Sequence, residues 1–139
     1  MTAYLLDTNV ISELTRDAPH PQVIAFLTGQ NDVWLSATVI HELAYGLRLL
    51  PPGRRSDRLR AMYSGIVSEY EDRILPLDRT AAEWAARFRA QARRSGRVLD
   101  LGDALIAGTA KAHVISLATR NTADFAGLDV AVVNPWKMT

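Results

Sequence analysis

The chain has 139 residues, which fits a single domain over 1–139. It has no cysteine, which excludes disulfides, thiolate metal sites and cysteine nucleophiles, and its formal net charge of +1 excludes a globally basic nucleic-acid binder. No apolar run is long enough for a bilayer and the start does not read as a signal peptide, so the expectation is a cytoplasmic protein without membrane contact. In chain order, Ala3 to Leu6 reads as a first strand, followed by short helical stretches at Val10 to Leu14 and Pro21 to Leu27. Val33 to Leu35 is the next strand, and Ser36 is placed to cap a helix over Ala37 to Leu49 that Pro51-Pro52-Gly53 stops. Leu59, Met62, Tyr63, Ile66, Val67 and Tyr70 form an apolar stripe at helical spacing, fit for the core or for an interface. Ile74 to Leu77 reads as a strand. Thr80 and Glu83 have the spacing of a capping box ahead of Trp84 and Phe88, and Gly96 stops that helix. A last helix runs from about Gly102 to Lys111, between strands expected at Val114 to Ala118 and Val130 to Val133. Strands alternating with helices imply an α/β fold, a mostly parallel sheet of about five strands covered on both faces.

In such sheets ligands bind beyond the carboxyl ends of the strands, which directs attention to polar residues there. Asp7 directly follows the first strand. Glu42 lies in an otherwise apolar helix, on the side of Val39 and Tyr45, and a carboxylate on a partly buried face needs a compensating partner. Asp103 falls in the first turn of a helix that Asp100 can cap, and Ala107, Gly108 and Ala110 would let that helix pack closely. Thr119, Asn121 and Asp124 follow a later strand. Each also has an ordinary reading, as a cap, a turn residue or a surface carboxylate. Gathered at one sheet edge, such carboxylates would repel unless a hard cation joined them, and Mg²⁺ and Mn²⁺ prefer oxygen ligands. The chemistry that best matches is phosphodiester hydrolysis. Two arginine runs are local polyanion candidates: Arg54, Arg55, Arg58 and Arg60, then Arg87, Arg89, Arg93, Arg94 and Arg97. His20, His41 and His113 have no metal-like spacing, and Trp34, Trp84 and Phe88 read as core.

The segment Leu5-Leu6-Asp7-Thr8-Asn9-Val10-Ile11-Ser12-Glu13 resembles the first motif of PIN-domain proteins, in particular the VapC and FitB toxins of type II toxin–antitoxin pairs. Residues 36–46, 103–110 and 117–125 are similar to the second, third and fourth motifs, and Val133-Asn134-Pro135-Trp136 suits the FitB-like branch. The resemblance implies an α/β/α sandwich and a magnesium-dependent endoribonuclease. It implies a cognate VapB- or FitA-like antitoxin covering the acidic site, a toxin homodimer, hetero-oligomers with the antitoxin, and operator DNA bound only through that antitoxin. On matching positions it makes Asp7, Glu42 and Asp103 metal-binding catalytic carboxylates and Thr119 a nearby hydroxyl. Asn121 departs from the pattern, because many relatives carry aspartate there. The lost charge should weaken a second metal site, with Asp124 a possible substitute. Arg54, Arg55 and Arg58 are the candidates for gripping RNA.

Two other function classes fit less well. A PIN-like module that binds RNA without cutting would not favour three carboxylates facing phosphates. A phosphatase with Asp7 as nucleophile would usually carry a second aspartate two residues on, where this chain has Asn9.

Overall fold

The computed structural model describes residues 2–137. It contains strands β1 (Tyr4–Leu6), β2 (Val33–Ser36), β3 (Ile74–Leu75), β4 (Ser116–Ala118) and β5 (Val132–Val133). The helices are α1 (Thr8–Leu14), α2 (Pro21–Thr28), α3 (Ala37–Leu49), α4 (Arg54–Glu69), α5 (Arg79–Arg94) and α6 (Leu101–Ala112), with 3₁₀ turns at Glu71–Arg73 and Thr122–Phe125. The sheet is parallel throughout, in the order β3-β2-β1-β4-β5. Successive residues of a strand point to opposite faces, yet Tyr4, Leu5 and Leu6 are all buried, so helices cover both faces of the central strand.

The chain builds β1, β2 and β3 outwards on one side, then returns to add β4 and β5 on the other. The reversal opens a crevice at the carboxyl ends of β1 and β4, where Leu6 pairs with Ala118. Asp7 and Thr119 are the next residues of those two strands. The backbone N–H of Asp7 donates to the Ala118 carbonyl at 2.9 Å, which holds the two strand ends together.

β5 is shorter than expected, beginning at Val132 in place of Val130, and three other boundaries shift for local reasons. The capping residue of α5 is Asp78, whose carboxylate accepts from the Ala81 N–H at 3.0 Å. The helix therefore starts before Thr80, and Glu83 faces Arg79 at 3.6 Å instead of reaching back to an N-cap amide. β3 ends at Leu75 because Pro76 has no N–H to continue the ladder. β4 starts at Ser116 because Val114 takes a left-handed conformation (φ 56°) that terminates α6, a conformation disfavoured for a β-branched residue. Elsewhere Ser36 caps α3 as expected, and Gly96 turns the chain after α5 at φ 77°.

Helix α6 packs closest to α5 at Gly108. A Cβ there would collide with the Ala81 carbonyl oxygen and the Ala85 backbone, so only glycine permits this approach. No helix among the described residues is long and apolar enough to cross a membrane.

Candidate functional site

A cleft of about 1000 Å³ opens at the carboxyl ends of β1 and β4, and Asp7, Glu42 and Asp103 all line it. They come from three separate elements: the end of β1, the middle of α3 and the first turn of α6. For Asp7 the ordinary and the functional readings coincide. It is the N-cap of α1, accepting from the Thr8 N–H at 2.7 Å, and it is also a buried carboxylate of the cleft. Its other oxygen accepts from the hydroxyl of fully buried Thr119 at 2.7 Å and from the Asn9 amide at 3.4 Å. Thr119 thus positions Asp7 from beneath the cleft floor. The Thr8 hydroxyl donates to Glu42 at 2.6 Å, which ties α3 to the start of α1. Asp100 caps α6, accepting from the Asp103 N–H at 3.3 Å.

Electrostatics set these groups apart from ordinary surface carboxylates. Burial pushes the Asp7 carboxyl above its usual range, partly offset by the hydrogen bonds from Thr119 and Thr8, with the charges of Glu42 and Asp124 adding to the rise. Asp103 is pushed up to about 7, first by desolvation and then by the charges of Asp7, Asp100, Asp124 and Glu42. Among the described residues no lysine or arginine lies within ion-pair distance of Asp7, Glu42 or Asp103. Among the described residues no three histidine, aspartate or glutamate side chains are already arranged as a metal-ligand group. The donor set still fits a hard divalent cation. It is made of carboxylate oxygens, it lacks a cationic partner, and its charges already repel. Mg²⁺ keeps several of its own waters and does not require a closed cage of protein ligands.

Arg16, Arg55, Arg58 and Arg120 also line the cleft, together with Trp136, Glu13 and Asp17; Arg16 pairs with Glu13 at 3.3 Å and Arg58 with Asp17 at 3.0 Å. Of the arginines expected to grip a polyanion, Arg55 and Arg58 are there and Arg54 is not. Asn121 lines the cleft as well; its backbone N–H donates to the Thr119 hydroxyl at 3.1 Å and its carbonyl accepts from the Asp124 N–H at 3.1 Å. Asp124 is exposed and does not line the cleft, yet it is near enough for its charge to act on Asp7 and Asp103.

Several contributors are not evident from the sequence. Glu13 is buried at the cleft wall. The His20 N–H, at 2.8 Å, and Arg16 hold its carboxyl below the usual range, so it serves as an anchor for the α1–α2 connection. Gly102 matters through what it lacks: a Cβ there would sit 2.5 Å from a Glu42 carboxylate oxygen and 3.1 Å from Asp100. The bare backbone gives the Glu42 head its place against α6. No pattern in the sequence marks Gly102 for this, because the contact joins residues 60 positions apart.

An apolar groove between α3 and α4 adjoins Glu42, lined by Leu43, Leu47, Leu50, Leu59, Tyr63 and Ile66 among others. Half of the apolar stripe on α4 is thus turned towards α3.

A family model described as the PIN domain matches residues 4–130. The chain is 42% identical to the toxin FitB of Neisseria gonorrhoeae, over 95% of this chain and 97% of that protein. It is 38% identical to the VapC ribonuclease Y4jK of Sinorhizobium fredii, over 96% of this chain and 97% of that protein. Among solved structures, FitAB bound to an IR36 DNA fragment superposes with a TM-score of 0.89 at 40% identity, covering 98% of this chain and 97% of that one.

Proposed function

This chain belongs to the PIN-domain family, and from that premise we propose that it is a divalent-metal-dependent endoribonuclease, the toxin of a toxin–antitoxin pair. The observation that carries this reading is the meeting of Asp7, Glu42 and Asp103 in one cleft that arginines also line. Names of similar proteins support it: one is a toxin, and another is a ribonuclease. The FitAB complex on DNA supports a second chain, an antitoxin, as partner, with operator DNA reached through that chain. Self-association of the toxin is part of the same proposal.

In this reading Asp7 and Asp103 hold Mg²⁺ or Mn²⁺ and Glu42 completes the site. An ion held there would supply a water of lowered pKa and would neutralise charge on the phosphate. Glu42 takes the proton of the attacking water, and the Thr8 hydroxyl fixes the direction from which it does so. The water oxygen bonds to phosphorus, the P–O ester bond breaks, the leaving oxygen takes up a proton from solvent, and Glu42 returns to solvent the one it accepted. Arg55 and Arg58 neutralise flanking phosphates, which keeps the RNA backbone close to a cleft floor that would otherwise repel it. Asn121 offers an oxygen without charge, so the cleft favours one firmly held ion over two.

The direct test is cleavage of a single-stranded RNA pool with Mg²⁺ or Mn²⁺ and with excess EDTA. Discrete products in metal and none in chelator are expected. Equal cutting in both would remove the metal from the mechanism, and no cutting of any RNA would remove the nuclease.

The Gly102 contact supplies a sharper test. Gly102→Ala should displace the Glu42 carboxylate and lower kcat by about 10²-fold, the scale of an ångström-sized misplacement. Alanine is the better helix former, so stability should hold or rise by about 0.5–1 kcal/mol. An active Gly102→Ala protein would mean that Glu42 needs no fixed position.

A further inference from the structure

We propose that Arg89, Arg93 and Arg97 form a second contact surface for RNA, outside the catalytic cleft, which grips phosphates of a strand that has crossed the first turn of α6. This rests on the ribonuclease reading above and adds a demand on the length of the substrate. Residues 87–99 hold five arginines and no acidic residue, although the net charge of the whole chain is only +1. All five are exposed, and none has a carboxylate within ion-pair distance among the described residues. Arg89, Arg93 and Arg97 line one concavity of about 400 Å³, with Ala90, Val98 and Leu99.

The surface stands at the catalytic end of the molecule. Ala81 and Ala85, early in α5, meet Gly108, late in α6, so the two helices run in opposite directions. Residues 95–100 join them. The carboxyl end of α5 therefore lies beside the first turn of α6, which carries Asp103. The Gln91 amide donates to the Gly127 carbonyl at 2.8 Å, and the Arg97 guanidinium donates to the Ala126 carbonyl at 2.6 Å. These bonds fix the end of α5 to the chain that follows the Thr122–Phe125 turn.

Helix-end electrostatics accounts for only part of the cluster. Arg93 and Arg94 lie in the last turn of α5, where the dipole favours a cation. Arg89 lies outside that turn, four residues from Arg93, a spacing at which like charges repel. The guanidinium cannot shed its proton, so an anion is what relieves the repulsion. A second copy of this chain fails as that anion, because a two-fold contact centred here would set arginines against arginines. Along the helix axis Arg89 and Arg93 are about 6 Å apart, close to the step between successive phosphates of a single strand. Each guanidinium can take a phosphate through two parallel hydrogen bonds. RNA leaving the neighbouring cleft supplies phosphates at such regular intervals, which an acidic polypeptide does not.

The test begins with wild-type cleavage in Mg²⁺, which establishes the ribonuclease and yields a tetranucleotide that carries a cut bond. Binding of a long single-stranded RNA with the same bond is then measured in EDTA over a range of salt. The double variant Arg89→Gln, Arg93→Gln should bind the long RNA about tenfold more weakly, with the slope of log affinity against log salt reduced by about 1.4. It should cut the tetranucleotide as fast as wild type. Lysine at both positions should keep the salt slope. In the wild type, the long RNA should shield Arg89 and Arg93 from phenylglyoxal and the tetranucleotide should not, a readout that needs no variant to fold. If the double variant binds long RNA as wild type does, or the long RNA shields neither arginine, the proposal is overturned and the face is left for an acidic protein. Slower cutting of the tetranucleotide by the same factor would also overturn it, by making the arginines structural. A wild type that neither cuts nor binds RNA would sink the ribonuclease reading, and this proposal with it.

Discussion

Asp7→Asn is expected to lower RNA cleavage by about 10³-fold while making the metal-free protein more heat-stable. The two effects have one cause. Asp7 is a carboxylate in a site that burial and neighbouring charges make costly to ionise. Asparagine keeps an acceptor for the Thr8 N–H or the Thr119 hydroxyl and removes the charge. A single preorganised charge at a transition state is worth about two to three powers of ten in rate. Relief of the buried charge should add about 1 kcal/mol, or about 3 °C in Tm for a chain of this size. Cleavage in Mg²⁺ and melting in EDTA check the two halves. A variant that loses activity and stability together would reduce Asp7 to a helix cap, and one that cuts like wild type would take it out of the mechanism.

The second large effect is a stability that falls as pH rises. The Asp103 carboxyl is pushed from an ordinary 3.8 to about 7 in the folded protein. Between those values the folded state holds a proton that the unfolded chain has released. The stabilisation this gives is fully present below about 3.8, declines as pH climbs through the window, and is gone above about 7. In EDTA, Tm should therefore drop by a few degrees between pH 5 and pH 8, and Asp103→Asn should flatten that drop. Added Mg²⁺ or Mn²⁺ should restore Tm more strongly at pH 8, where the ligand is ionised. Glu13 has the opposite sign, but its carboxyl lies below an ordinary 4.5, so its loss of stability belongs to the acid side of the window. A Tm in EDTA that is level or rising from pH 5 to 8, with Asp103→Asn parallel to wild type, would contradict the raised Asp103 carboxyl.

The strands and helices were legible because their apolar residues keep period and their ends carry capping and stop residues. Ser36, Pro51-Pro52-Gly53 and Gly96 each mark a boundary that the fold respects. What misled were signals with two local solutions. Thr80 and Glu83 match a capping box, yet Asp78 lies two residues earlier and starts the helix there, accepting from the Ala81 N–H. Val114 looks like the start of a strand because valine favours strands, and here closure of α6 overrides that preference. In the site, Asp7, Glu42 and Asp103 stood out through residue type and position. Thr8 and Gly102 did not, because their roles depend on Glu42 arriving from another helix. Arg54 and Arg55 are adjacent in sequence and part company at the cleft, since neighbours on a helix point about 100° apart.

The pairing of β1 with β4 has a consequence in time. Tyr4 waits for Ser116, 112 positions later, before its second ladder can form, and Thr119 must follow before Asp7 has its hydroxyl partner. The closure entropy of so long a loop is met only when most of the chain is available. During translation, then, a growing chain carries Asp7 without the strand and the hydroxyl that position it, and the floor of the cleft is completed only once β4 has been made and has docked beside β1.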